Sequence, residues 1–185
     1  FFTSVGMLCI CRDVTVERQL EKKIIYSANT DQLTDLYNRR YFYEYMTRNK
    51  IMSKHVNLFY IDLDNFKKIN DEYGHQAGDT VLVMVAKLLK QTFGAEFIAR
   101  VGGDEFLAVV LGSKTDAELA ILAERFLSSL QQTIADNAKF AVLSASIGIA
   151  VSNALTDVDL LIRQSDSALY EAKRNGKKQY KIYHK

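Results

Sequence analysis

Four short stretches of this sequence carry side chains suited to chemistry on a phosphorylated substrate. Tyr60-Ile61-Asp62-Leu63-Asp64 closes an apolar run with two carboxylates. In a strand, Asp62 and Asp64 project to the same side. Such a pair can hold Mg²⁺, a hard cation that takes oxygen ligands. It can equally be a helix cap at Asp64 beside an exposed Asp62. Gly102-Gly103-Asp104-Glu105-Phe106 sets an acidic pair beside two glycines. The glycines let backbone approach a ligand closely. If the sheet brings Asp104 beside Asp62, the two could grip a metal that bridges nucleotide phosphates.

The third stretch runs from Phe66 to Asp79 and is dense in hydrogen-bonding side chains. Asn70 both donates and accepts, whereas ionised Asp79 only accepts. A carboxylate complements the adjacent donors on guanine's Watson–Crick edge, and adenine lacks that pair. The competing reading makes Asp79 a helix N-cap. His75 alone is more often structural than catalytic. In the fourth stretch, Lys173 and Lys177 lie four apart at a helix end. There they either answer the helix dipole or hold a polyphosphate.

These groups need a scaffold, and hydrophobic periodicity outlines one. Helices are predicted over Asn38–Lys50, Asn65–Tyr73, Asp79–Thr92 and Asp157–Arg174, the last closed by Gly176. Another starts at Thr115, with Glu118 at capping-box spacing. Strands are predicted over His55–Leu63, Glu96–Val101, Glu105–Leu111, Phe140–Val151 and Lys178–His184. Gly102-Gly103-Asp104 reads as a hairpin turn. The order β-α-α-β-β-α-β-α-β implies an α/β (α+β) fold with one mixed sheet covered by helices.

The first residues differ from this body. Phe2–Asp13 reads as a strand. Val16, Leu20 and Ile24 then recur every four residues among charges, as one apolar stripe of a short helix. Cys9 and Cys11 share a face of that strand and are expected to pack. Two cysteines make no disulfide framework. The chain begins at Phe1 without a secretory signal, which is the expectation for a piece of a longer protein.

Composition narrows the classes. The 185 residues are 48% apolar and 25% charged, an ordinary globular balance. No apolar run approaches the roughly 18 residues of a membrane helix. The net charge of +2 and the lack of an aromatic-interleaved basic stripe argue against nucleic acid. No membrane contact is expected of this segment, and a cytoplasmic setting is expected, though the full protein could be anchored.

Taken together, the motifs resemble the GGDEF family of diguanylate cyclases, which make cyclic di-GMP from GTP. The resemblance spans roughly Asp31 to Tyr183. It rests on Asp31-Gln32-Leu33-Thr34, Asn38-Arg39-Arg40-Tyr41-Phe42, Asp62-Leu63-Asp64-Asn65-Phe66-Lys67, Asn70-Asp71, Gly74-His75 and Gly78-Asp79. Arg100 followed by the intact Gly102-to-Phe106 motif, Ser146–Ala150 and Ala168–Lys173 complete it.

The resemblance implies a nucleotidyl-cyclase or polymerase-palm fold and a homodimer in which each domain carries one GTP. It implies two Mg²⁺ (or Mn²⁺) ions per GTP, held by Asp62, Asp104 and the Leu63 carbonyl. Glu105 falls near the reacting 3′-hydroxyl, Asn70 and Asp79 at the guanine, and Phe66 and Lys67 near the phosphates. Gly102 and Gly103 fall at the substrate, and Lys173 at the γ-phosphate. Lys177 stands where the family often has arginine; it keeps the charge but loses the planar fork. Phe93 and Glu96 occupy the positions of an inhibitory Arg-x-x-Asp product site, so that site is expected to be absent.

Asp13-Val14-Thr15 with Leu20-Glu21 resembles the exit of a PAS sensor domain. The expected organisation is therefore a truncated PAS-like strand over 1–14, a signalling helix over 15–29 and a GGDEF domain over 30–185, with an upstream sensor as partner. The rival readings are a catalytically weak GTP-binding module that regulates a neighbouring domain, and a palm-like enzyme acting on ATP.

Overall fold

A computed structural model describes residues 15–48, 55–94, 97–135, 137–152 and 157–184. Helix α1 (Thr15–Asn29) leads into a two-residue strand β1 (Tyr37–Asn38) and helix α2 (Arg39–Arg48). Strand β2 (Val56–Asp64) is followed by α3 (Phe66–Tyr73), α4 (His75–Phe93) and the hairpin β3 (Phe97–Arg100) and β4 (Glu105–Leu111). Helix α5 (Asp116–Ala135), strand β5 (Ser144–Ser152), helix α6 (Val158–Arg174) and strand β6 (Tyr180–Ile182) complete the chain.

The strands form one six-stranded mixed sheet in the order β1-β3-β4-β2-β5-β6. β2 is antiparallel to both β4 and β5, while β1 and β6 run parallel to their neighbours at the edges. The sequence of β2 explains its place. Val56 and Leu58 enter one apolar cluster; Phe59, Ile61 and Leu63 enter another. A strand apolar on both faces must lie inside a sheet that is covered on both sides. On one side Ile69 of α3, Val81, Val85 and Leu89 of α4, and Phe126 and Leu130 of α5 close over it. On the other, Phe42 and Met46 of α2 and Leu161 of α6 do so. The predicted α/β class holds, as does the element order from α2 onward; β1 was not predicted.

Several boundaries move. Asn38 belongs to β1, and its side chain accepts from the Tyr41 amide at the start of α2, which runs only over Arg39–Arg48. Helix α4 starts at His75, four residues before the predicted Asp79, so Asp79 is not a cap. Gly74, at φ 81°, ends α3 and starts α4 in one residue. Asp64 is not a cap either: Asn65, at φ 64°, occupies that position without a side-chain cap bond. Ala138–Phe140 is a 3-10 turn, so β5 begins at Ser144, and β6 is shorter than predicted. The Thr115–Glu118 capping box is present in both directions, at 2.9 and 3.3 Å. The strand expected over Phe2–Asp13, with Cys9 and Cys11, lies outside the described residues.

Candidate active site

The carboxylates expected at the site meet where β2 and β4 end together. Asp62 pairs in register with Glu105 on one side and Ser146 on the other. The Leu63 amide donates to the Asp104 carbonyl at 3.2 Å, which fastens the glycine turn to the end of β2. The sheet therefore brings Asp62, Asp104 and Glu105 to one edge of the fold. Lys173, near the end of α6, reaches in and places its ammonium 2.8 Å from Asp62 Oδ2. Burial pushes the Asp62 carboxyl up. Lys173 pulls against that shift, and the charges of Asp104 and Glu105 add to it; the net direction is upward. Three acids and one lysine at a strand end form a locally negative, oxygen-rich site.

Asp64 is close in sequence but does different work. It is 3% exposed and accepts from Ser144 Oγ at 2.8 Å, Ser146 Oγ at 2.9 Å and the Lys178 amide at 3.2 Å. It pins β5 and the chain after α6 to the end of β2.

Glu105 is half-buried. Its Oε1 accepts from the Tyr60 hydroxyl at 3.2 Å, and its other oxygen lies over Gly102, where a Cβ would collide with it. Burial first, and then the Glu105 charge, push the Tyr60 hydroxyl well above the ordinary tyrosine range, so it stays a donor.

Asn70, Phe66 and Gly78 form a second group. A Cβ at Gly78 would strike the Asn70 side-chain oxygen and press on the Phe66 ring at 3.1 Å. Glycine there lets α4 pack directly on Asn70, and the next residue, Asp79, follows inside the helix. The Phe66 ring is buried in the core, so what it offers at the surface is the backbone start of α3. Lys67 is exposed beside it. Asp79 also borders an open, largely apolar groove of about 630 Å³ along α4 with Thr80, Val83 and Met84. Lys177 is exposed at φ 62°, and its amide caps the α6 carbonyl of Ala172 at 3.1 Å. Phe93 is buried edge-on against Phe59, with ring centres 5.0 Å apart. Glu96 lies outside the described residues.

Arg100 is a residue to which sequence reasoning gave no role. Its guanidinium donates to the Gly103 carbonyl at 2.8 and 3.2 Å and to both oxygens of Asp31 at 3.1 and 3.2 Å. Asp31 also accepts from the amide and hydroxyl of Thr34. The acidic turn is thereby tied to the segment that follows α1. Asn38 and Arg40 donate to the Ala28 carbonyl at 2.8 and 2.9 Å, which holds the end of α1 to the same segment. The signal was present as an arginine two residues before the glycines and an Asp-x-x-Thr spacing, but nothing in the sequence pairs them.

The chain is similar in sequence and in fold to known proteins. Residues 28–179 match the family described as "Diguanylate cyclase, GGDEF domain". The Escherichia coli (strain K12) cyclic di-GMP phosphodiesterase PdeR is 35% identical over 183 residues, covering 97% of this chain and 28% of that protein. Diguanylate cyclase DgcM of the same organism is 34% identical over 176 residues, covering 92% of this chain and 42% of that protein. The chain thus spans less than half the length of these curated relatives. A solved structure of the coiled coil and GGDEF domain of DgcB from Caulobacter crescentus, in complex with c-di-GMP, superposes with a TM-score of 0.83 at 26% identity. It covers 91% of this chain and 93% of that one. The chain belongs to the GGDEF diguanylate cyclase domain family.

Proposed function

We propose that this domain condenses two molecules of GTP into cyclic di-GMP as a homodimer, with release of two pyrophosphates. The observation that supports this most directly is the docking of the intact acidic turn onto the end of β2, with Asp62 opposite Glu105 and Leu63 bonded to Asp104. At each step the 3′-oxygen of one GTP bonds to the α-phosphorus of the other. The bond to the bridging oxygen breaks, and pyrophosphate leaves with that electron pair.

The roles follow the chemistry of the side chains. Asp62, Asp104 and the Leu63 carbonyl are hard oxygen donors at one strand end, and that donor set suits Mg²⁺ or Mn²⁺. Among the described residues, no three acidic, histidine or cysteine side chains are gathered as a ligand cluster, and Lys173 is the cation that faces Asp62. When bound, such ions supply charge neutralisation at the α-phosphate. Glu105 takes the 3′-hydroxyl proton. Asn70 and Asp79 read the guanine edge. The first amides of α3 carry no side-chain cap and, with Lys67, face the phosphates. Gly102 and Gly103 admit the substrate to the turn. Lys173 and Lys177 meet the γ-phosphate.

Phe93 is part of the core and offers no guanidinium, so product should not inhibit through that position. Residues 1–14, which resemble a PAS exit, would couple an upstream sensor to α1 as the signalling helix.

The resemblance to a protein named as a phosphodiesterase favours one second reading, a GTP-binding module that regulates an attached domain. One experiment separates the two. The purified chain is incubated with GTP and Mg²⁺, with ATP in parallel, and products are resolved by chromatography. Cyclic di-GMP from GTP alone, undiminished by added product and lost in a folded Asp104→Ala variant, supports the cyclase. GTP binding without product supports the regulatory module. Normal turnover by Asp104→Ala sinks the site assignment, and product inhibition that depends on Phe93 sinks the claim about that position.

A further inference from the structure

We propose that Tyr60 is a positioning residue for Glu105: its hydroxyl on one side and the missing Cβ of Gly102 on the other hold the carboxylate over the acidic turn. This rests on the cyclase reading for its catalytic meaning.

Three observations carry it. Tyr60 lies on β2 two residues before Asp62, so both side chains leave the same face of the strand. Its hydroxyl makes the one side-chain hydrogen bond that Glu105 receives among the described residues. A cavity of about 60 Å³ adjoins the pair, lined by Arg39, Tyr43, Tyr60, Glu105 and their apolar neighbours. A carboxylate beside open volume needs a tether. Without one it can rotate into the cavity toward Arg39 and leave the turn. Tyr60 is half-buried and packs against the apolar cluster that includes Phe42 and Leu161, so the tether is itself fixed by packing.

The opposite wall is Gly102. A Cβ there would collide with the far end of the Glu105 side chain, not with backbone, so an alanine should displace the carboxylate and spare the fold. Tyr60 on β2 and Gly102 in the turn between β3 and β4 act on the same group.

The test uses Tyr60→Phe, which keeps the ring, and Gly102→Ala, which keeps the hydroxyl. A hydrogen bond to a charged group is worth enough to predict a fall in kcat of about tenfold or more in Tyr60→Phe. KM for GTP should stay within about twofold, because Glu105 acts on the reacting hydroxyl and not on guanine. In a Glu105→Gln background, Tyr60→Phe should cost little further. Gly102→Ala should also lower kcat, with a rise in KM from its place at the substrate, and its effect on kcat should not add fully to that of Tyr60→Phe. An unchanged kcat, a loss confined to KM, or an equal loss in the Glu105→Gln background overturns the proposal.

If the wild-type chain makes no product, the cyclase reading fails separately. The seat is then decided by equilibrium urea unfolding of wild type, Tyr60→Phe, Glu105→Gln and the double variant. Non-additive stabilities sustain it, and additive ones overturn it.

Discussion

Arg100 illustrates how a single side chain can organise a motif that it does not belong to. Its fork holds the Gly103 carbonyl and the Asp31 carboxylate together, joining the acidic turn to the segment after α1. Burial alone would raise the Asp31 carboxyl, but the Thr34 hydrogen bonds and Arg100 outweigh it, and the net shift is downward. A carboxyl held below its unfolded value stabilises the fold above that value, about 3.9, and loses this as pH falls through the folded one. Asp31→Asn should therefore be less stable than wild type at neutral pH. The gap should close below about pH 4, measured by urea unfolding across the range. An unchanging gap would show that the pair contributes through shape and not charge. The carboxylates and Asn70 stood out in the sequence as candidates because of the chemistry that their side chains can do. Tyr60 and Arg100 did not, because their meaning comes from partners that only the fold brings to them: Glu105 on β4 for Tyr60, Asp31 after α1 for Arg100.

At the scale of elements, the site depends on how closely α6 lies on the sheet, since α6 delivers Lys173 to Asp62. Gly148 in β5 sets that approach. A Cβ there would run into the Ser165 carbonyl and the Leu169 amide, both of them backbone and unable to turn aside. Gly148→Ala should destabilise the domain by about 3 kcal/mol, at the upper end of ordinary overpacking, and should loosen the Lys173–Asp62 pair. Urea unfolding gives the first, and a crystal structure of the variant gives the second; a variant as stable as wild type would mean that α6 is not seated by this contact. The element order was readable from periodicity, and so was the capping box. The early start of α4 was not. Its cap is a glycine at φ 81°, whereas the acidic residue that resembles a cap, Asp79, sits inside the helix.

For the whole molecule, the order of strands and helices pointed to one mixed sheet covered by helices, and the structure has that architecture. What no sequence pattern supplied was the strand order, because it depends on which chains of residues meet after folding. Helix α1 stands apart from either core. Val16 and Ile24 are 68% and 67% exposed, although the helix end is tied to the body through Ala28. If catalysis needs two copies, turnover per domain should rise with protein concentration and then level off. Analytical ultracentrifugation over the same range should show the monomer giving way to a dimer. A specific activity independent of concentration, in a chain that sediments as a monomer, would exclude the two-copy scheme.

The margins of the sheet bear on that meeting of copies. The inner strands β2 and β5 are nine residues long, but β1 and β6 at the rims have two and three. Rims this short offer an incoming strand few backbone groups to zip onto. The described rim strands are thus poor templates for strand addition, which favours a pairing of copies through side chains and helices over one through either rim.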